Sequence, residues 1–125
     1  MIDLDRYSEL ECCDVTTTGR HSGRPHEIEI WFGVLDGALV MVSGNRERAD
    51  WYRNLRADPR VTVRIGDEVH DGVARIVTDP DERRRVGDVM GAKYHYSDAS
   101  IGLTQQAWTY GVPAVVIELV EQRRR

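Results

Sequence analysis

The chain has 125 residues, of which 41% are hydrophobic and 30% charged, a composition that suits one globular domain and leaves no room for two. A formal net charge of -4 speaks against a general nucleic-acid binder, which normally shows a basic balance. The longest apolar run, Val112 to Ile117, is broken by Pro113 and falls far short of the ~20 residues of a membrane span; the acidic opening Met1 to Arg6 lacks the basic-then-apolar order of a signal peptide, so a cytoplasmic chain is expected.

In chain order, Cys12 to Thr18 is rich in β-branched residues and ends at Gly19, which predicts a first strand. Cys12 and Cys13 are neighbours and cannot easily reach ordinary disulfide geometry. His21, His26, His70 and His95 stand at no metal-ligand spacing to them, so no metal site is expected. His26 to Leu35 alternates Ile28, Ile30 and Phe32 against Glu27, Glu29 and Trp31, as a half-buried strand does, and Asp36-Gly37 then predicts a hairpin into Ala38 to Val42. Asn45 stands where it can cap a helix over Arg46 to Ala57, with Trp51, Tyr52 and Leu55 on one face and Asp58-Pro59 as its stop.

Gly66-Asp67 predicts a second hairpin between Val61 to Ile65 and Glu68 to Val77. Asp79, Pro80 and Glu82 form the start of a second helix, whose stripe continues through Val86, Val89, Met90 and Lys93 or Tyr94. From Tyr96 to Gly111 periodicity fades, which predicts a lid-like loop with room for one helical turn. Pro113 opens Ala114 to Leu119, a near-continuous apolar strand of the kind found at a sheet centre or barrel closure. The sum is a mainly β (α+β) domain spanning residues 1–125: six strands curled into a small barrel, two inserted helices, a short arm over 1–11 and a basic tail over 120–125 whose Arg123, Arg124 and Arg125 read as solvated charge.

Two loops concentrate chemistry. Gly19 to His26 sets Arg20, His21, Ser22, Arg24 and His26 between two strands, and Ser43 to Arg48 sets Ser43, Gly44, Arg46 and Arg48 where a strand meets the predicted helix start. Guanidinium forks and the free N–H groups of a helix N-terminus both suit an anion, although an ordinary polar hairpin and simple capping by Asn45 explain the same residues. No G-x-S-x-G, G-x-G-x-x-G or Walker pattern occurs, and no carboxylate pair stands out, so the chain reads as a cofactor holder rather than a triad enzyme.

The run Thr16 to Pro25 (TTTGRHSGRP) and the run Ala49 to Val61 (ADWYRNLRADPRV), in this order and spacing, closely resemble the deazaflavin-dependent nitroreductase family, as does the Pro-x-Val-x-Ile strand at Pro113 to Ile117. The resemblance covers about Cys13 to Leu119 and implies a split β-barrel of the pyridoxamine-phosphate-oxidase and FMN-binding type, with coenzyme F-420 as cofactor, a deazaflavin carrying a phosphodiester and a polyglutamate tail. It implies that Arg20, His21, Arg24 and His26 approach the acidic tail, that Ser43 and Gly44 approach the phosphate, and that the backbone from Ile28 through Glu29 to Ile30 lies against the ring; Ser22, Arg46, Arg48 and Trp51 are further candidates for holding the cofactor. His21 stands where many relatives carry lysine, and the basic residue expected after Ser43 comes only at Arg46.

The implied reaction is hydride transfer from the reduced deazaflavin to a quinone-like, nitroaromatic or other conjugated acceptor, with Tyr94, Tyr96 and Tyr110 as candidate proton donors or acceptor-lining residues. FMN in the same barrel, or a non-catalytic ligand carrier, are the alternatives. Related barrels are often dimers, and a homodimer stays open; neither nucleic acid nor a membrane span is expected as a partner.

Overall fold

The strands form one antiparallel sheet of seven, in the order β2-β1-β5-β6-β7-β4-β3, in a computed structural model that describes residues 2–120. The elements are β1 (Cys12–Thr18), β2 (Pro25–Trp31), β3 (Gly33–Leu35), β4 (Ala38–Val42), α1 (Asp50–Ala57), β5 (Arg60–Ile65), β6 (Glu68–Ile76), α2 (Pro80–Lys93), α3 (Gln105–Tyr110) and β7 (Ala114–Leu119). Short 3-10 turns at Asp5–Tyr7, Arg46–Arg48 and Ala99–Ile101 complete the set. The tail residues Arg123 to Arg125 lie outside the described residues.

The sheet curls around an inner core in which Val15, Leu39, Val63, Ala74, Val115 and Ile117 meet Trp51 and Leu55 of α1. The register follows from this requirement: Val15 faces Ile28 and Val63, and Ile117 faces Ala74 and Leu39, so the apolar partners share the concave side. Leu4 and Tyr7 are buried in the same core, so the N-terminal arm plugs the barrel rather than trailing from it. A second core forms on the convex side, where Val40, Val42, Ala114 and Val116 meet Val86 and Met90 of α2 and Trp108 of α3. Strands β4 and β7 are therefore covered on both faces, which is why they read as near-continuous apolar runs.

The count of seven corrects the expected six, because the run predicted as one strand from His26 to Leu35 is two. It breaks at Phe32, and its halves become the opposite edges of the sheet, β2 at one end and β3 at the other. At the break, the Phe32 N–H donates to the Tyr94 hydroxyl at 3.2 Å, and that hydroxyl donates to the carbonyl of Glu11 at 2.6 Å, with the Phe32 carbonyl 3.0 Å away. The Lys93 ammonium also donates to the Phe32 carbonyl, at 3.0 Å. A side-chain clamp thus takes over the bonds that a sheet neighbour would make.

Two further corrections concern helices. The first helix begins at Asp50, not Arg46, because Arg46 has a left-handed φ of 55° and Ala49 is extended, which isolates Arg46–Arg48 as a 3-10 turn. Asn45 makes no side-chain cap bond there. The segment expected as a loop with room for one helical turn contains a third α-helix, α3, started by Thr104, whose side chain accepts from the Ala107 N–H. Helix α3 lies so close to α2 that a Cβ on Gly87 would come within 2.4 Å of the Tyr110 ring and 3.0 Å of the Thr109 carbonyl. The cap of α2 is as expected, with Asp79 accepting from the Glu82 N–H at 3.1 Å. Asp36 and Gly37 take φ of 52° and 77°, the positive values a two-residue hairpin turn requires.

Candidate cofactor and acceptor groove

Strand β2 has β1 on one side only, so alternating N–H and C=O groups along its other side lack a strand partner. On that side opens a cavity of about 330 Å³, lined by Cys12 of β1, Ile28, Glu29, Ile30 and Trp31 of β2, Val42 and Gly44 at the end of β4, Trp51 of α1, Met90 of α2 and Trp108 of α3. Trp31 is the centre of its aromatic wall. The ring stacks on Tyr94 with centroids 4.5 Å apart and planes 4° from parallel, and meets Trp108 and Tyr96 edge-on at 5.6 and 5.8 Å. All three tryptophans of the chain line this one cavity.

The basic loops flank it differently. Arg20 is turned inward: its Nη1 donates to Asn54 Oδ1 at 2.8 Å, its Nη2 pairs with Asp50 at 3.1 Å, and its backbone N–H also donates to Asn54 Oδ1. Asn54 is itself buried on α1 and donates to the Thr17 hydroxyl at 3.1 Å, so this network ties the β1–β2 turn to the helix. His21, Ser22, Arg24 and His26 are exposed, with the Ser22 hydroxyl accepting from the Arg24 N–H. Among the described residues, the Arg24 and Arg48 guanidiniums make no ion pair or hydrogen bond. In the second loop Ser43 is buried, its hydroxyl donating to the Arg46 carbonyl at 2.6 Å and its N–H to the Pro113 carbonyl at 2.9 Å, so both of its donors are spent inside the fold. The expected helix start is not within that loop, because α1 begins only at Asp50.

A family model for the F420H(2)-dependent quinone reductases matches residues 6–118. The chain belongs to that family. Among solved structures, the chain resembles a conserved hypothetical protein from Mycobacterium tuberculosis, at 25% identity and a TM-score of 0.69, over 99% of this chain and 82% of the other. It also resembles an F420-H2-dependent reductase at 24% identity and a TM-score of 0.68, over 87% of this chain and 95% of the other. A Listeria innocua protein described as a pyridoxamine 5'-phosphate oxidase, at 18% identity and a TM-score of 0.63 over 98% of this chain and 92% of the other, shares the split-barrel fold.

As a member of this family the chain is an F-420-dependent oxidoreductase, and its residues fit the cofactor. Apolar walls suit a flat ring, the unpartnered edge of β2 suits its polar rim, and Gly44 leaves open space beside Trp108 that a Cβ, 3.6 Å from the indole, would fill.

The three tyrosines part company. Tyr94 is the clamp at Phe32, and burial pushes its hydroxyl up to about 12, which keeps it protonated. Tyr110 lies on the other side of α3 from Trp108, lining a separate hollow with Asp88, Gly91 and His95, and its hydroxyl donates to Asp88 at 2.7 Å. Hydrogen bonding to that carboxylate raises its pKa. Tyr96 alone of the three combines contact with Trp31 and substantial exposure, and nearby Asp98 is held below the usual carboxylate range by the Ser100 hydroxyl and N–H.

Sequence reasoning left out Trp31, Val42 and Met90 as wall residues and Cys12 as a rim residue. The one available signal was the break of alternation at Trp31, a large aromatic on the polar face of its strand. Burial, with Glu29, Glu11 and Asp14 nearby, raises the Cys12 pKa, and burial of Cys13 takes that thiol to about 12, so both thiols are held neutral. Among the described residues no helix is long and apolar enough to cross a membrane, and no cluster of metal-ligating side chains occurs.

Proposed function

We propose that this chain reduces quinone-like, nitroaromatic or other conjugated acceptors in the groove beside β2. The observation that carries the reading is the groove itself: a mostly apolar, tryptophan-walled slot opening along the free edge of a strand. When bound there, reduced F-420 supplies the hydride. The backbone of Ile28, Glu29 and Ile30 orients the ring, Trp51 closes one side, and Trp31 and Trp108 exclude water and hold a planar acceptor. Arg24, His21 and His26 offer exposed positive or protonatable groups to the acidic tail, with Arg48 and Arg46 as further cations. Arg20 serves the tail indirectly by fixing the turn that carries Arg24. Tyr96 is the proton donor of this reading, since its ring meets Trp31 edge-on at the aromatic wall and stays exposed.

The test is titration of the purified protein with F-420 and, separately, with FMN, followed by turnover of reduced F-420 with menadione. Exposed ion pairs contribute about 0 to 1 kcal/mol each, so several of them predict a roughly ten- to hundredfold preference for F-420 that shrinks as salt rises. Tighter binding of FMN without F-420 turnover would assign the groove to FMN, and tight F-420 binding without turnover on any acceptor would make the chain a carrier.

A further inference from the structure

The groove has a charge pattern of its own. Of the residues lining it, Glu29 is the one with a formal charge; the rest are apolar or glycine, apart from the Cys12 thiol, which is held neutral. Alternation along β2 turns Ile28 and Ile30 towards the inner core and sets Glu29 on the same face as Trp31, with Asp14 of β1 directly across from it. The charges of Glu29, Glu11 and Asp14 all reach Cys12 at the groove's rim and act in one direction. The nearby cation, Lys93, is turned onto the Phe32 carbonyl at 3.0 Å and lies 3.9 Å over the Phe32 ring. No arginine lines the cavity. The cations offered to an acidic cofactor tail lie in the β1–β2 turn and in the turn after Gly44, and none of them lines the cavity.

A fixed negative charge at the mouth of a low-dielectric slot raises the cost of bringing in a second one, and focuses that effect along the slot. We infer that Glu29 sets the charge selectivity of the acceptor groove, admitting neutral planar quinones and turning away those that carry a sulfonate or carboxylate. The inference rests on the acceptor reading above and adds to it the class of acceptor.

The experiment uses a matched pair, 1,4-naphthoquinone and its 2-sulfonate, and reads binding to the full chain without cofactor by quenching of tryptophan fluorescence, corrected for quinone absorption. All emission from tryptophan arises in the groove, because Trp31, Trp51 and Trp108 line it. The wild type should bind the neutral quinone more tightly at low ionic strength. Glu29→Gln should shift the ratio of the two dissociation constants towards the sulfonate by about fivefold, and Glu29→Lys further, with the shift fading at about 0.5 M salt. Glu27→Gln removes the same charge two residues along, outside the groove, and should move the ratio far less. The kcat/KM ratio for the two quinones with reduced F-420 should follow the same order. A ratio unmoved by both Glu29 substitutions, or moved as far by Glu27→Gln, overturns the inference and leaves the groove reading standing. Absence of saturable quenching by naphthoquinone itself overturns both.

Discussion

Replacing Tyr94 by Phe isolates the clamp at the strand break, because it removes one oxygen and keeps the ring that stacks on Trp31 at 4.5 Å. That oxygen accepts from the Phe32 N–H and donates to the Glu11 carbonyl. Phe32 is fully buried, so its N–H would be left without a partner, whereas Glu11 is exposed and its carbonyl can turn to water. An orphaned buried donor costs about 1 to 3 kcal/mol and a lost net hydrogen bond about 1, so the expected loss is about 2 to 4 kcal/mol. With ~2.1 cal/mol/K of unfolding entropy per residue, a chain of 125 residues should lose roughly 8 to 15 °C of Tm. Urea unfolding followed by far-UV circular dichroism, with hydrogen exchange at the Phe32 amide, measures both ends of the argument. A loss under about 1 kcal/mol, with the Phe32 amide still protected, would show that the hydroxyl does not hold the break. Lost turnover at undiminished stability would return Tyr94 to the role of proton donor.

Asp79→Ala should cost about 1 kcal/mol by removing the bond to the Glu82 N–H, readable as a shift in urea midpoint with unchanged slope. Asn54→Leu should destabilise by about 2 to 4 kcal/mol, since it strands the Arg20 backbone donor and the Thr17 hydroxyl, while Arg24→Ala should leave the urea midpoint nearly where it is and weaken F-420 binding a few-fold at low salt only. Stability should fall as pH rises above about 9. Cys13 and Tyr94 both have folded-state pKa values raised to about 12, so the unfolded chain loses those protons first; the stability they lend is intact below the ordinary thiol and phenol range and gone once pH passes 12. A flat stability profile between pH 8 and 11 would contradict this.

Most of the sheet was legible because its strands obey the alternation that one buried face imposes, and β7 was legible for the opposite reason, being covered on both faces. The break at Phe32 was not, since Phe32 continues the pattern of Ile28 and Ile30, and what ends the strand is a hydroxyl from 62 residues away. The start of α1 was misread because Asn45 is a good cap by type, while the left-handed Arg46 is fixed by bonds to Ser43 that local propensity does not register. Arg20 looked like an anion ligand because its buried partner, Asn54, lies on α1, on a face otherwise composed of Trp51 and Leu55. The groove combines four residues of β2 with one or two from each of five other places in the chain, and no spacing rule connects Trp31 to Trp108.

Because one stretch of chain supplies both margins of the sheet, the barrel's seam is a hinge with a single pivot. Pressure on β2 from within the groove is applied to a lever whose far arm is β3, and β3 lies so tightly against α2 that a Cβ on Gly33 would come within 2.5 Å of Val89. The pivot is bolted to the end of α2 through Lys93 and Tyr94. Filling the slot therefore loads the end of α2 through Lys93 and Tyr94 as well as through Met90, which lines it: slowed amide exchange along the last turn of α2 would register occupancy, and an insertion beside Phe32 would loosen cofactor and helix together.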